Sequence, residues 1–452
     1  MKKVITYGTF DLFHEGHYNL LKRAKGLGDY LIVGVTTEQY DEYRGKMNVI
    51  DSLMKRIENI KETGLADEIV IEDHVGQKVE DIQKYEIDIF TVGSDWKGKF
   101  EYLTDYCEVV YLDRTKGISS TLKRQTNYKL VRLGMIGSGR IANRFAQEVK
   151  YVSGTNLEGV YNPNVESAMK LSEAFELKFY TNNLNELFEQ VDAVYIASPH
   201  TTHYDYTKKA LLNGKHVLCE KPFVLNKNEA IELYQLAKDK GLILMEAIKT
   251  AYCPGFNQLL KLTKSGCVGN IRDIEACFTK LTSGNLRELK FSEKGGSFTE
   301  LGSYALLPII KLLGTDYKKV YFKTFLDEDG VDLYTKAYFE YEHAICTAKV
   351  GLGVKSEGQL LISGTDGYIC VDAPWWKTQS FEVKNENKEE NEKFFYKFLG
   401  DGLRYELSDF VSLINGNFKK SYKLTNEESI AIAEVIEMFL DRKNTTVIYK
   451  RG

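Results

Sequence analysis

Proline is scarce, with 6 in 452 residues, which excludes long proline-rich linkers. Cysteine is scarce and scattered. Cys107, Cys219, Cys253, Cys267, Cys277, Cys346 and Cys370 are odd in number and include no CxxC pair, so reduced thiols are expected rather than disulfides or a zinc site. No apolar run approaches the roughly 20 residues of a membrane span; Val191–Ala197 (VDAVYIA) has only the length of a buried strand. Neither charge sign dominates. Sixty Lys+Arg against 64 Asp+Glu give −4, without the basic footprint of a nucleic-acid binder. The opening MKKVITYGTFDLFHEGH is too polar for a signal peptide, so a cytoplasmic location is expected. What remains is 43% hydrophobic and 27% charged, the balance of a folded globular chain. At about 100–200 residues per domain it holds two to four domains.

Two segments open alike. Lys3–Phe10 is a β-rich run that leads through a glycine turn into the amphipathic stretch His17–Leu27. Lys129–Ile136 is a second such run, followed by Gly137-Ser138-Gly139 and another helical stretch. The polar segment Leu122–Tyr128 is the predicted joint. In the first segment Tyr30–Thr36, Glu68–Ile71, Ile87–Val92 and Val109–Leu112 read as strands and Ser52–Thr63 as a helix. That alternation implies a mainly parallel sheet covered on both faces. In the second, Leu157–Tyr161, Ala193–Ala197, His216–Cys219 and Leu242–Glu246 read as strands, with a helix over Lys227–Lys240. Beyond about residue 255, β-rich runs follow one another without regular helices between them. A large antiparallel sheet is expected there, with helices over Tyr304–Leu313 and Asn426–Leu440. The charged run Lys384–Lys393 reads as a solvated loop. The fold class is therefore α/β with a C-terminal α+β part, and the predicted domains are 1–126, 129–250 and 251–452.

His14-Glu15-Gly16-His17 follows a strand and starts a helix. Imidazoles three residues apart share a helix face. The helix N-terminus offers free N–H groups and positive potential, and Gly16 lets a phosphate come close. Such a site binds an anion and stabilises charge on a phosphoryl oxygen. Without CxxC or HExxH, no protein-held metal is expected. Taken alone, HxGH fits equally well two unrelated surface histidines.

YGTFDLFHEGH, Gly93-Ser94-Asp95-Trp96 and Arg114-Thr115-Lys116-Gly117-Ile118-Ser119-Ser120-Thr121 resemble the three signatures of the glycerol-3-phosphate cytidylyltransferases over about residues 1–125. The resemblance implies that CTP, with Mg²⁺, and a polyol phosphate give a CDP-polyol and pyrophosphate. His14 and His17 would then contact the α-phosphate region. Arg114 with Ser119 and Thr121 would grip the outer phosphates. Thr9, Phe10 and Asp11 would lie beside the nucleotide, Asp95 and Trp96 would line the cleft, and Lys46 and Arg56 would point cationic groups toward the phosphates. Lys116 stands where the family more often has an acid, which bears on the identity of the polyol.

Gly137-Ser138-Gly139-Arg140-Ile141-Ala142 is a G-x-G-x-x-A turn between a strand and a helix, a pyrophosphate cradle. Asn162 ends the second strand where an acid would select NAD or an arginine NADP, so the coenzyme stays open. Ser198-Pro199-His200, with His203 just beyond, and Cys219-Glu220-Lys221-Pro222 follow further strands, at the edge where such sheets bind ligands. Together with GGSFTELGSYALLPIIKLLG these elements resemble the glucose–fructose oxidoreductase/inositol dehydrogenase family over about residues 129–445. The resemblance implies a Rossmann domain, an α+β domain and hydride transfer between NAD(P) and a hydroxyl or carbonyl. Lys221 is then the lysine of the EKP element, Glu300 an acid of the later motif, and Tyr304 stands at the usual catalytic histidine position as the proton donor. Lys249 would meet an anionic substrate.

Two functions are expected in one chain: cytidylyl transfer to a polyol phosphate, and oxidoreduction of a sugar or keto precursor, supplying an activated polyol for cell-surface polymers. The alternative keeps an active transferase and makes the second part a binding or oligomerising module. Small-molecule substrates and a homo-oligomer are expected, and no nucleic acid or membrane span.

Overall fold

The computed structural model describes all residues except 114–129, 285, 388, 390, 417–419 and 449–452. Arg114, Ser119 and Thr121 therefore lie outside the described residues, as does the joint Leu122–Tyr128. The chain forms two compact units, Met1–Arg132 with Ala146–Asn183, and Leu133–Phe145 with Leu184–Gly452.

The first 113 residues run β1 (Lys3–Gly8), α1 (Glu15–Lys25), β2 (Tyr30–Thr36), α2 (Glu38–Tyr43), α3 (Leu53–Glu62), β3 (Glu68–Glu72), α4 (Gln77–Tyr85), β4 (Ile89–Gly93) and β5 (Glu108–Leu112). The five strands are all parallel, in the order β3-β2-β1-β4-β5. Strands buried on both faces read as apolar runs, and ITY, LIVGV and IFTV supply them. Val4, Leu21, Leu31, Val33 and Ile60 pack on one side and Ile5, Ile32, Phe90 and Leu103 on the other. The strand order reverses between β1 and β4, and ligands of open α/β sheets bind at such a point, beyond the strand C-termini. The HxGH segment follows β1 and the GSDW turn follows β4, so both signatures stand there. The same unit contains β7 (Thr155–Tyr161), α6 (Val165–Ala174) and β8 (Phe179–Thr181), with β7 and β8 parallel.

Between these, β6 spans Val131–Ile136 and α5 spans Arg140–Val149. After β8 the chain continues with α7 (Leu184–Gln190), β9 (Ala193–Ile196), α8 (His203–Leu212), β10 (His216–Glu220), α9 (Lys227–Asp239) and β11 (Leu244–Ala247). In the second unit β11, β10, β9 and β6 lie side by side and parallel. Their C-terminal ends deliver Lys249, Lys221, Ser198 and Gly137 to one edge.

The rest comprises α10 (Lys249–Tyr252), α11 (Pro254–Lys264), β12 (Ile271–Thr279), α12 (Ser297–Leu313), β13 (Lys319–Leu326), β14 (Asp332–Glu340), β15 (Ile345–Gly351), β16 (Leu360–Gly364), β17 (Gly367–Val371), β18 (Ser380–Asn385), β19 (Glu392–Phe395), α13 (Leu403–Asn415), α14 (Asn426–Leu440) and β20 (Thr445–Ile448). The nine strands form one sheet, β19-β18-β17-β16-β12-β15-β14-β13-β20. It is mixed, not purely antiparallel as expected, because β12 with β15 and β13 with β20 run parallel. Composition marks a strand but not its direction.

The helix expected from Tyr304 begins seven residues earlier. The Asp332 carboxylate accepts the Phe298 N–H at 2.9 Å, and the Ser297 hydroxyl donates to the Asp332 carbonyl. A cap supplied from β14 thus lets the GGSFTE segment join α12. The helix packs against β12, β14 and β15 and carries Glu300 and Tyr304 one turn apart.

Candidate active sites

At the first site the histidines meet. His14 caps α1, and its Nδ1 accepts the Gly16 N–H at 3.0 Å. A ring nitrogen that accepts carries no proton, so neutral His14 keeps its N–H on Nε2. A Cβ at position 16 would sit 2.8 Å from the His14 ring, which explains the glycine. The His14 and His17 rings stack with centroids 3.9 Å apart at 20°. Burial, then the neighbouring His14 and Lys46, holds the His17 pKa well below the ordinary histidine value. His17 is neutral at pH 7, a hydrogen-bond donor and not a cation. Its Nδ1 is buried without a partner, and a buried polar atom kept unpaired is costly unless a ligand satisfies it.

The turn before α1 is held from below. Thr9 donates its hydroxyl to Asp41 at 2.8 Å, and Asp41 also receives Thr36 at 2.7 Å and Arg44 at 2.5 Å. Asp11 accepts the amides of Ile50 and Asp51 at 3.0 and 2.8 Å. Burial raises its carboxyl pKa, and the Asp51 and Ile50 amides pull it back. Asp11 thereby ties the nucleotide-side turn to the segment before α3.

Phe10 and Arg56 are both buried. Phe10 turns its ring into the core, so only its backbone stands at the turn. It is 2% exposed, belongs to the core beneath the sheet and meets His17 edge-on at 5.5 Å. Its φ of 52° is a strained conformation for a bulky residue, and that twist turns the ring inward. Arg56, expected to face a phosphate, is wholly buried. It donates to the carbonyls of Asp51, Thr9 and Thr36 at 3.0, 2.9 and 2.8 Å. These bonds hold the turn from within. Arg56→Met is expected to lower the stability of the first unit by about 3–5 kcal/mol, since the charges and carbonyls left behind stay buried. Its thermal unfolding transition checks this, and an unchanged midpoint would contradict it.

Lys46 donates to the Lys150 carbonyl at 2.8 Å. Asp95 and Trp96 sit in a short 3₁₀ turn directly after β4. Asp41, Arg44 and a second buried pair escaped the sequence reading. In that pair the Lys78 ammonium contacts the Glu72 carboxylate at the end of β3 and lies 4.6 Å from the Tyr7 ring centroid. On the sequence these are ordinary helix charges, and only burial singles them out.

At the second site Gly137 has φ 105°, and a Cβ there would meet the Ala197 carbonyl oxygen at 2.6 Å. A Cβ on Gly139 would meet nothing within 4 Å. The Asn143 amide ties the turn by donating to the Gly139 and Ser138 carbonyls at 2.9 and 3.3 Å. A tight glycine turn with open space over its second glycine, opening α5 at Arg140 and Ile141, fits a dinucleotide pyrophosphate. Arg140 itself pairs with Glu288 at 2.8 Å. Asn162, in the first unit, accepts the Asn164 N–H at 2.9 Å.

His203 links the strand ends. Its Nδ1 lies 2.9 Å from the Pro222 carbonyl and its Nε2 3.0 Å from that of Ser198. Ser198 in turn pairs with Thr202 at 2.8 Å, and the Pro199 carbonyl accepts the Thr202 hydroxyl at 2.7 Å. The Lys221 ammonium donates to the Glu300 carbonyl at 2.9 Å and stands 5.8 Å from the Tyr304 ring centroid. Glu220 accepts the Tyr195 hydroxyl at 2.5 Å and the Lys221 N–H at 3.2 Å, so it fixes the backbone that carries Lys221. The Glu300 carboxylate receives Arg287 at 3.0 Å. Burial, then Glu220 and Glu406, keeps the Tyr304 phenol well above its ordinary pKa. Tyr304 therefore holds its proton at neutral pH. Glu406, wholly buried on α13, was not anticipated. Lys249 donates to the Asp401 carbonyl at 2.7 Å.

His200, expected beside the cofactor, uses both ring nitrogens internally. Arg287 can only donate, so Nδ1 accepts from it at 3.0 Å and Nε2–H is left to donate to the Glu293 carbonyl at 2.9 Å. Its role is to hold the 287–293 segment. Burial, then Arg287, depresses its pKa to about 3, against an ordinary value of about 6.5. Below pH 6.5 the unfolded chain takes up this proton and the folded ring does not. Stability present above about pH 6.5 is therefore lost as pH falls toward 3. Thermal midpoints should drop between about pH 7 and 4.5, and drop less in His200→Asn; parallel curves would exclude His200 as the cause.

A nucleotidyltransferase site and a dinucleotide oxidoreductase site thus stand in one chain. The description "Cytidylyltransferase-like" matches residues 5–126, "Oxidoreductase family, NAD-binding Rossmann fold" residues 131–248, and "GFO/IDH/MocA C-terminal domain" residues 256–370. Glycerol-3-phosphate cytidylyltransferase of Bacillus spizizenii is 54% identical over 121 residues, 27% of this chain and 93% of that protein. The scyllo-inositol 2-dehydrogenase (NADP(+)) of Bacillus subtilis is 28% identical over 333 residues, 71% of this chain and 98% of that protein. A solved 3-ketoreductase of Actinomadura kijaniata, in complex with NADP and TDP-benzene, superposes with TM-score 0.62 at 22% identity over 71% of this chain and 99% of its own. The chain belongs to the cytidylyltransferase family through its N-terminal part and to the GFO/IDH/MocA oxidoreductases through the remainder. Both are families of enzymes, and no helix among the described residues is long and apolar enough to cross a membrane.

Proposed function

We propose that this chain is bifunctional. Its first part transfers the cytidylyl group of CTP, as the magnesium complex, to a polyol phosphate such as glycerol 3-phosphate, releasing pyrophosphate. Its second part interconverts a sugar or polyol and its keto form with NAD(P). The product is an activated polyol for a cell-surface polymer. The observation that carries the reading is the pairing of a stacked His14–His17 at one strand edge with Lys221 beside Tyr304 at another.

In the transfer, an oxygen of the polyol phosphate attacks the α-phosphorus, and the P–O bond to pyrophosphate breaks. Such a step needs positioning and neutralisation of charge more than covalent help. Imidazole N–H groups at a helix N-terminus supply donors to the phosphoryl oxygens, and Lys46 supplies positive charge. In the second site Gly137, Ser138 and Gly139 would hold the pyrophosphate of NAD(P), which when bound supplies or accepts the hydride. Lys221 orients the substrate oxygen and Tyr304 holds the proton to be given to it. Lys249 meets an anionic group. NADPH is the coenzyme to assay first, since the relative spanning most of this part is named for NADP(+).

A coupled assay with CTP, NADPH or NADH and three- to five-carbon keto-polyol phosphates tests both halves. Pyrophosphate release without any coenzyme oxidation across the panel would leave the second part a binding or oligomerising module.

A further inference from the structure

We infer that Lys150–Ser153, which lies beyond the cytidylyltransferase match and inside the oxidoreductase match, is a positioning segment of the cytidylyl-transfer site. The inference rests on the transferase reading of the first site.

Six contacts converge on it. The Met47 N–H donates to the Tyr151 carbonyl at 2.7 Å, and the Ser153 N–H to the Met47 carbonyl at 2.8 Å. Met47 and Val152 thereby form a parallel β-bridge. The adjacent Lys46 ammonium donates to the Lys150 carbonyl at 2.8 Å. The Lys150 ammonium reaches back to the Asp95 carbonyl at 2.9 Å and lies 4.7 Å from the Trp96 ring centroid. Tyr151 meets the same indole edge-on, with centroids 5.8 Å apart at 87°. Glu176, farther along, accepts the Ser94 hydroxyl at 2.6 Å.

The physical consequence is specific. A lysine ammonium on four rotatable bonds samples a large volume unless an acceptor fixes it. Here a carbonyl fixes Lys46, and the β-bridge fixes the backbone that carries it, close enough that Lys46 helps to depress the His17 pKa. Trp96, at the end of β4, is held by a cation on its face and a ring at its edge, contacts of the kind that orient an indole. Three residues assigned to the transfer site, Lys46, Asp95 and Trp96, therefore take their positions from one short stretch of the other family's sequence. Fusion supplies part of the transferase site and does more than tether two enzymes.

The test uses the full chain with CTP and glycerol 3-phosphate, reading pyrophosphate release. Lys150→Ala and Tyr151→Ala are expected to raise the KM for CTP about tenfold while kcat changes less than about threefold. Lys150→Arg, which keeps a cation and a donor, should recover most of the loss. NADPH binding, read by coenzyme fluorescence, is the control for folding. A CTP KM within twofold of wild type in both alanine variants overturns the inference. So does an equal loss of CTP and NADPH binding, which would mark the segment as merely structural. A wild-type chain that releases no pyrophosphate from CTP overturns the transferase reading itself and the inference with it.

Discussion

The His17→Ala chain is expected to lose cytidylyl transfer by about 10²–10³-fold while remaining folded. The size of the effect follows from what the ring does. Held neutral by burial, by His14 and by Lys46, it offers one N–H donor, and its Nδ1 is buried and unpaired. A preorganised donor aimed at developing phosphoryl charge contributes most in the transition state, so its loss falls on kcat more than on the KM for CTP. The structural cost is modest. The ring packs on His14, Phe10 and Phe13 at one end of α1, and none of the core strands relies on it. His17→Asn, which keeps an N–H donor, should recover part of the rate. Turnover of His17→Ala within about threefold of wild type would remove this histidine from the mechanism.

How far this was legible in the sequence depended on whether a function rests on local or on distant residues. The His14–His17 pair was readable because a helix of fixed pitch brings residues three apart together, and the capping geometry of His14 is local to HEGH. The glycine turn at 137–139 was readable for the same reason. The burial of Arg56 and Phe10 was not readable because it is decided by elements far along the chain. Arg56 is claimed by carbonyls of three separate segments, and nothing in the sequence around it distinguishes that from a solvated helix arginine. His200 was placed beside the cofactor on its strand-end position, yet Arg287 and Glu293, some ninety residues on, occupy both ring nitrogens. Asp41, Lys78 and Glu406 carried no local signal, since an isolated acid or lysine in a helix is normally exposed. The start of α12 was missed because its cap, Asp332, comes from a neighbouring strand.

Each site is also built on second partners that leave the reactive groups constrained. At the first, the Asp41 carboxylate gathers Thr9, Thr36 and Arg44, so the turn before His14 is held by a buried charge network. At the second, Glu220 and the Glu300 carbonyl hold Lys221 from its backbone and from its ammonium. Precise placement of a few groups by buried partners is what turns ordinary side chains into catalysts. It also predicts that substitutions at these supports lower rates without touching a substrate.

Lys221→Met is the corresponding expectation for the second site. Coenzyme-dependent turnover should fall by about 10²–10⁴-fold, the usual contribution of a positioned proton-handling or orienting group. Methionine is similar in length and fills the same path, so the loss is that of the ammonium. The Glu300 carbonyl loses its donor, which costs about 1–3 kcal/mol if no water replaces it, and thermal unfolding separates that cost from the catalytic one. Tyr304→Phe isolates the proton. It keeps the buried ring and its contact with Phe278 and removes only the phenol, whose proton is retained at neutral pH through burial and the nearby Glu220 and Glu406. If Tyr304 gives that proton, Phe lowers kcat while NADPH binding stays. If Lys221→Met abolishes turnover and Tyr304→Phe does not, the lysine works with water as the proton source. Cytidylyl transfer should persist in both variants, and parallel loss of both activities would show that unfolding, not chemistry, had been measured.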